Sequence, residues 1–345
     1  MANFRQPLKI LLLRSRNNLI SSRRLLNYTP IYYDGTEDPA NIFLNKNVQN
    51  LLKSLTRVDY DKIFKRRKLG SKTLTDPEYK FMTDKELQEA LAEAQHTAEE
   101  LLQIPPIVKV RIKERTVLAE DPALQGLEDC RFVFTDITYG LKGTDRTIIV
   151  REPDGTLQEA ENSVRHRMNQ VYFPQESKLL KAPRMFESDY LENLLNRREY
   201  EYVLDRACMQ FEPDDLDYQR VVSITYQHVN DSASFELLRS TRHFGALSFF
   251  LVWNKNIDNL LLDIIETLRI EEARDLVQLY SLMHRIQFEG NTPLEVVQDY
   301  IKKAANKKGA LELALQAYKE LEAKNRSLTR GIERPSRKSL VLLTL

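Results

Sequence analysis

Cysteine is scarce in this chain of 345 residues: Cys130 and Cys208 are the only two. They stand 78 positions apart without a Cys-x-x-Cys spacing, which argues against a disulfide scaffold or a zinc site. A reducing compartment fits, and both read as small buried hydrophobes. Histidine is nearly as rare. None of His96, His166, His228, His243 and His284 pairs with another His or Cys at a metal-ligand spacing, and there is no His-Glu-x-x-His. Gly140-Leu141-Lys142-Gly143-Thr144 has neither the phosphate-loop nor the dinucleotide spacing. Long apolar runs are missing too. The longest, Phe244 to Trp253, is ten residues, where about twenty are needed to span a bilayer, so no transmembrane helix is expected.

Acidic residues are absent from the first 33 positions, which carry Arg5, Lys9, Arg14, Arg16, Arg23 and Arg24 and are rich in Leu, Ser and Asn. That is the composition of a mitochondrial presequence. Arg5, Lys9, Arg16 and Arg23 fall on one helical stripe at about 100° per residue. A secretory signal fits poorly, because the apolar stretch Leu8 to Leu13 is short and broken by Lys9. The alternative is a retained basic arm that binds nucleic acid. Without residues 1–28 the balance shifts from 51 basic and 50 acidic residues to 45 and 50. The remainder is mildly acidic and is not a uniformly basic nucleic-acid binder.

What is present is mostly helical patterning. A helix is expected from about Asn41 to Leu55. Thr83-Asp84-Lys85-Glu86 forms a capping box, with Met82 and Leu87 at the positions of a hydrophobic staple. Leu87, Leu91, Ala94, Ala98 and Leu101 then repeat at helical spacing, and Pro105-Pro106 ends that helix. A β region follows. Val108, Val110 and Ile112 alternate with cations as in a half-buried strand, and the runs 132–137 and 147–150 suggest a hairpin. Pro153-Asp154-Gly155 is a turn. Helices are expected near 157–171, 188–196, 198–211, 217–230, 234–253, 257–269, 271–285, 293–305 and 309–325. Thr292-Pro293-Leu294-Glu295 supports one of these starts. There is no repeat of fixed period.

The expected fold class is therefore α+β, mainly α: a small antiparallel β region followed by a stack of antiparallel helix pairs. The expected organisation is a presequence over 1–28, a helical and basic segment over 29–105, the β region over 106–156, a helical domain over 157–325 and a basic, disordered tail over 326–345. Charge divides these parts sharply. Residues 53–72 have a net charge of +6, residues 186–300 of −11 and residues 301–338 of +7.

Catalytic readings find little support. His243 near Ser240 lacks the strand–turn–helix elbow that exposes a nucleophile, and reads as a packing residue. The acids of Glu212-Pro213-Asp214-Asp215-Leu216-Asp217 suit either a divalent cation or an interhelical turn that caps the next helix; the turn is favoured. Trp253, Phe249 and Phe250 read as core. The two basic flanks suit phosphate contacts and equally a solvated surface. Candidate RNA contacts are Lys65, Arg66, Arg67, Lys68, Lys302, Lys303, Lys307, Lys308, Arg326, Arg330 and Arg334.

Several ordered segments carry a resemblance. Val117 to Asp121, Phe132 to Tyr139, Ile149 to Leu157, Gln170 to Pro174, Gln210 to Asp214, Leu237 to Gly245 and Leu276 to Tyr280 resemble the mitochondrial small-ribosomal-subunit protein 22 family, continuously from about residue 41 to 322. The resemblance implies a structural ribosomal protein in the mitochondrial matrix, without catalytic residues, cofactor or small-molecule substrate. It implies as partners the small-subunit mitochondrial rRNA and other small-subunit mitoribosomal proteins, and no membrane. The alternative is a matrix helical adaptor or RNA-associated factor that is not integral to the ribosome.

Overall fold

A computed structural model describes residues 28–64, 79–111, 116–120, 130–143, 145–175 and 178–332, with side chains to residue 324. Residues 1–27 of the presequence expected over 1–28, and the cations Lys65, Arg66, Arg67, Lys68 and Arg334, lie outside the described residues. Among the described residues the order is α1 (Pro39–Phe43), α2 (Lys46–Thr56), α3 (Tyr60–Ile63), α4 (Asp84–Leu101), β1 (Val117–Glu120), β2 (Phe132–Thr135), β3 (Ile148–Arg151), β4 (Thr156–Glu159), α5 (Asn162–Tyr172), α6 (Ser188–Asn196), α7 (Tyr200–Gln210), α8 (Leu216–Asp231), α9 (Arg242–Trp253), α10 (Asp258–Glu266), α11 (Ile270–His284), α12 (Pro293–Lys303) and α13 (Lys308–Ile332). This is the expected mainly helical α+β fold with one small antiparallel sheet.

Helix α9 lies at the centre. It is apolar all round, and every residue from His243 to Val252 is buried, the pattern of a helix enclosed by others. Helices α2, α8 and α11 pack on it. Tyr33, Phe43, Phe249, Phe250 and Trp253 form an aromatic group there, as the core reading of Trp253 required. Phe43, Val48, Leu52 and Leu55 belong to the same core as residues between Phe186 and Leu315, and so do Ile104 and Ile107. Gly245 is where Ile104 enters: a Cβ at Gly245 would lie 2.4 Å from Ile104 Cδ1. No helix among the described residues is long and apolar enough to cross a membrane.

The sheet has the order β1-β4-β3-β2, all antiparallel. The expected hairpin is present, with Phe132 opposite Arg151 and Thr135 opposite Ile148. At the next turn Gly155 takes φ +90°, and the Asp154 carboxylate accepts from the Thr156 amide at 2.9 Å, the expected turn chemistry. Val164 and Met168 of α5 cover Ile148, Val150 and Ala160. Buried Arg146 donates to three carbonyls, of Asp136, Thr138 and Leu141, and so pins the β2–β3 loop.

Several expectations need correction. The helix expected over 41–55 is two helices, because Asn45 leaves the helix and caps α2, accepting from the Asn47 amide at 3.0 Å. Residues 157–159 are strand, paired on both sides, so that helix begins at Asn162. The helix expected over 234–253 is a short 3-10 turn, Phe235–Leu237, followed by α9; Ser240 between them has φ +58° and donates its amide to Thr56 O at 2.9 Å. Val108 to Arg111 run extended without a strand partner among the described residues. Tyr33 O, Asp214 O and Gln219 take their backbone groups instead. Helix α13 passes the expected end at 325 and reaches Ile332; nothing between Arg326 and Arg330 breaks a helix before Gly331 and Pro335. Cys130 is exposed, contrary to the buried reading, whereas Cys208 is half-buried at the core edge.

Candidate functional site

Four of the basic candidates, Lys302, Lys303, Lys307 and Lys308, meet at the junction of α12 and α13. Thr292 and Glu295 form a capping box at the start of α12. Eleven residues later the helix ends on Lys302 and Lys303, cations placed where the helix dipole favours them. A short turn then leads to Lys307 and Lys308, and all four lysines are exposed. Arg326 and Arg330 lie further along α13.

Buried Asp258, at the start of α10, organises this turn. One carboxylate oxygen accepts from the amides of Asn306 and Lys307 at 2.7 and 2.8 Å. The other accepts from Tyr300 Oη at 2.9 Å. Burial raises the Tyr300 phenol far above its usual range, helped by this carboxylate. The lysines are partly engaged within the chain. Lys303 Nζ donates to Asp299 at 2.7 Å, Lys307 Nζ to Asn259 Oδ1 at 2.6 Å and Lys308 Nζ to Lys302 O at 2.7 Å. The hydrogen bond from Lys303 lowers the pKa of Asp299, and the same bond raises that of Lys303. Solvent screens exposed contacts of this kind, so they hold the ammonium groups only loosely. Sequence reasoning found the lysines and missed Asp258. Its only signal is an acid set directly against an apolar run, Ile257-Asp258-Asn259-Leu260-Leu261.

A second polar cluster was not foreseen at all. Arg239, 1% exposed, donates from Nη1 to Leu55 O at 3.0 Å and lies with its guanidinium 4.2 Å over the Phe244 ring. Glu272 accepts from Arg57 Nε and Nη2 at 2.8 and 2.7 Å and from Arg269 Nη1 at 3.1 Å, with Arg239 Nη1 3.4 Å away. Burial, and then Arg57, lower the pKa of Arg239 to about 10. Arg57 has φ +62°, a strained conformation for a residue with a side chain. Arg57, Asp59, Asp61, Glu236, Arg239 and Arg269 line an open polar groove of about 540 Å³. The cluster joins the end of α2 to α11 and to the turn before α9.

The remaining candidates resolve into packing. His243 is buried, and its Nε2 lies 2.9 Å from Asp205 Oδ1, which also accepts from Arg242. Burial alone would raise Asp205, but His243 and Arg242 outweigh it and bring the pKa to about 2. In the 212–217 turn, Asp215 caps α8 by accepting from the Asp217 amide at 3.1 Å, Asp214 pairs with Arg111, and Glu212 pairs with Lys178. The turn reading therefore holds. Among the described residues no group of three or more His, Cys, Asp or Glu side chains is placed to hold a metal ion.

A model of the family described as "Mitochondrial 28S ribosomal protein S22" matches residues 41–285. The small ribosomal subunit protein mS22 of Bos taurus is 38% identical over 285 residues, covering 81% of this chain and 79% of its own. The protein of that name from Mus musculus is 36% identical over 286 residues, covering the same shares. The chain belongs to the mitochondrial ribosomal protein S22 family. In this S22-family chain the matched span holds α2, α9 and α11 with the Arg57–Arg239–Glu272 cluster. It stops before α12, so Lys302, Lys303, Lys307 and Lys308 lie beyond the residues that the family model matches.

Proposed function

We propose that this chain is held in the mitochondrial small ribosomal subunit by two kinds of contact: cationic segments on rRNA phosphates and acidic helices on neighbouring proteins. As an S22-family member it is a structural component of that subunit, in the matrix. The observation that carries the reading is the family match over 41–285. The charge map supports its finer part. The net −11 of residues 186–300 repels phosphate and suits basic ribosomal proteins, whereas Lys302, Lys303, Lys307, Lys308, Arg326, Arg330 and Arg334 gather in a stretch of net +7. Lys65, Arg66, Arg67 and Lys68 form the second cationic segment. These cations act as phosphate ligands and not as base readers. The role is architectural, with no reaction catalysed.

The test is sedimentation of a mitochondrial lysate through a sucrose gradient at moderate and at high salt, with the chain detected by antibody. Co-migration with the small subunit in both is the expected result. Loss at high salt alone would indicate an electrostatically held factor. Migration at the top of the gradient in both conditions would overturn the ribosomal reading in favour of a helical adaptor.

A further inference from the structure

Helix α4 carries an apolar stripe whose leucines the rest of the described chain leaves largely open. At about 100° per residue, Leu87, Leu91, Ala94, Ala98 and Leu101 share one side of the helix. Only Ala98 is buried. Leu87, Leu91 and Leu101 are 50%, 60% and 51% exposed, and Phe81 and Met82 extend the open surface beyond the N-terminus. The helix is firmly begun and firmly attached. Thr83 and Glu86 close its capping box, and Ile104 and Ile107 just after it sit in the main core. A fixed helix with leucines at i and i+4 in water presents the anchor pattern of helix-in-groove recognition, and contiguous exposed apolar surface of this kind marks an interaction site.

Charge identifies the class of partner. Residues 84–101 hold six acids and one basic residue, Lys85. On the helical wheel Glu86 and Glu93 border the stripe on one side, and Asp84 and Glu99 on the other. The contacts Lys85–Glu89, His96–Glu100 and Gln95–Glu99 stay on the helix itself. An RNA backbone or an anionic lipid surface would be repelled by this border. A protein helix with its own apolar stripe and flanking Lys and Arg would be attracted on both counts. We infer that the Leu87–Leu91–Leu101 stripe of α4 is the docking surface for an apolar helix of a basic protein in the same subunit. The inference rests on the ribosomal reading above.

The experiment uses the full chain in assembled small subunits. A photo-crosslinking side chain at Leu91 should join α4 to an apolar, Lys- and Arg-flanked helix of one subunit protein. Crosslinks confined to rRNA, or to residues 65–78 of this same chain, would overturn the proposal. The double change Leu87→Glu, Leu91→Glu should lower the ratio of subunit-bound to free chain at least tenfold, while the urea midpoint of the free chain stays where it is. A fall in that midpoint would mean that the stripe is covered by the chain's own fold, and would also overturn it. Glu93→Lys with Glu99→Lys should weaken incorporation too; stronger incorporation would point to phosphate and count against a protein partner. If the unaltered chain is missing from subunits, the ribosomal reading itself fails. If it is present and the leucine variant is incorporated equally well, the docking surface alone fails.

Discussion

Arg57 and Glu272 stand 215 positions apart in the chain and form a bidentate ion pair. The pair fastens the end of α2 to the start of α11, and Glu272 serves Arg269 and Arg239 as well. Removing it leaves three guanidinium groups around an emptied position, two of them largely buried.

Arg239 keeps Asp263 at 3.6 Å and Arg57 keeps Glu236 at 4.0 Å, so Glu272→Ala should destabilise the chain by about 1–3 kcal/mol, the usual cost of buried polar groups left without a hydrogen-bond partner. Urea unfolding followed by circular dichroism measures it. A loss below about 1 kcal/mol would show that solvent already screens the cluster.

Stability should fall as pH drops from 7 to 5. Burial lowers the pKa of His243, His228 and His284 in the folded chain, so below about 6.5 the unfolded chain binds protons that the folded chain does not. Each contribution is complete above the unfolded value and is lost as pH falls towards the folded one. Asp205, with its folded pKa near 2, adds a further loss between about pH 4 and 2. Asp215 and Asp263, raised by burial, act the other way around the carboxylate range. Urea midpoints at pH 5, 6 and 7 should rise in that order; a flat or inverted series would contradict the histidine assignment.

Asp258→Ala removes the acceptor shared by the Asn306 and Lys307 amides and by Tyr300. An unsatisfied buried group costs about 1–3 kcal/mol, and at least that loss is expected. Amide exchange should speed up at Asn306 and Lys307 while α9 stays protected. Equal exchange at those two amides would show that the carboxylate does not hold the turn.

The four lysines at that turn should matter for association and not for folding. Changing Lys302, Lys303, Lys307 and Lys308 to Ala should leave the thermal midpoint of the free chain within a few degrees. It should also flatten the salt dependence of subunit binding, because fewer counterions are released from RNA. An unchanged salt slope would remove them from the list of phosphate ligands.

Gly245→Ala tests the approach of Ile104 to α9. The added methyl meets Ile104 Cδ1 and Cγ1 at 2.4 and 2.8 Å. Overpacking costs about 1–3 kcal/mol, against which the gain in helix propensity is about 1 kcal/mol. A lower urea midpoint is expected, and a higher one would show that Ile104 moves aside freely.

Local chemistry was the legible part of this fold. Both capping boxes, at Thr83 and at Thr292, are decided within four residues, and both form as the sequence predicts. The β2–β3 hairpin likewise follows from two β-branched and aromatic runs and the loop between them. The misjudged elements are those settled by distant groups. Leu157 to Glu159 have helical company in sequence but find strands on both sides. Ser240 breaks a continuous helical pattern because its amide is taken by Thr56 of α2. The candidate site divides in the same way. Lysines announce themselves by charge, whereas the carboxylate that sets their turn comes from α10, 48 and 49 positions from the amides it holds.

The seat of α2 on α9 and α11 has a consequence for how the chain is made. Arg239 reaches back 184 positions to Leu55 O, so a chain released amino end first shows Val48, Leu52 and Leu55 long before their cover exists. At about 5–20 residues per second, synthesis would leave that surface bare for roughly 10–40 s. The first helices to emerge are thus among the last to find their place, and during that interval they are natural clients for a chaperone.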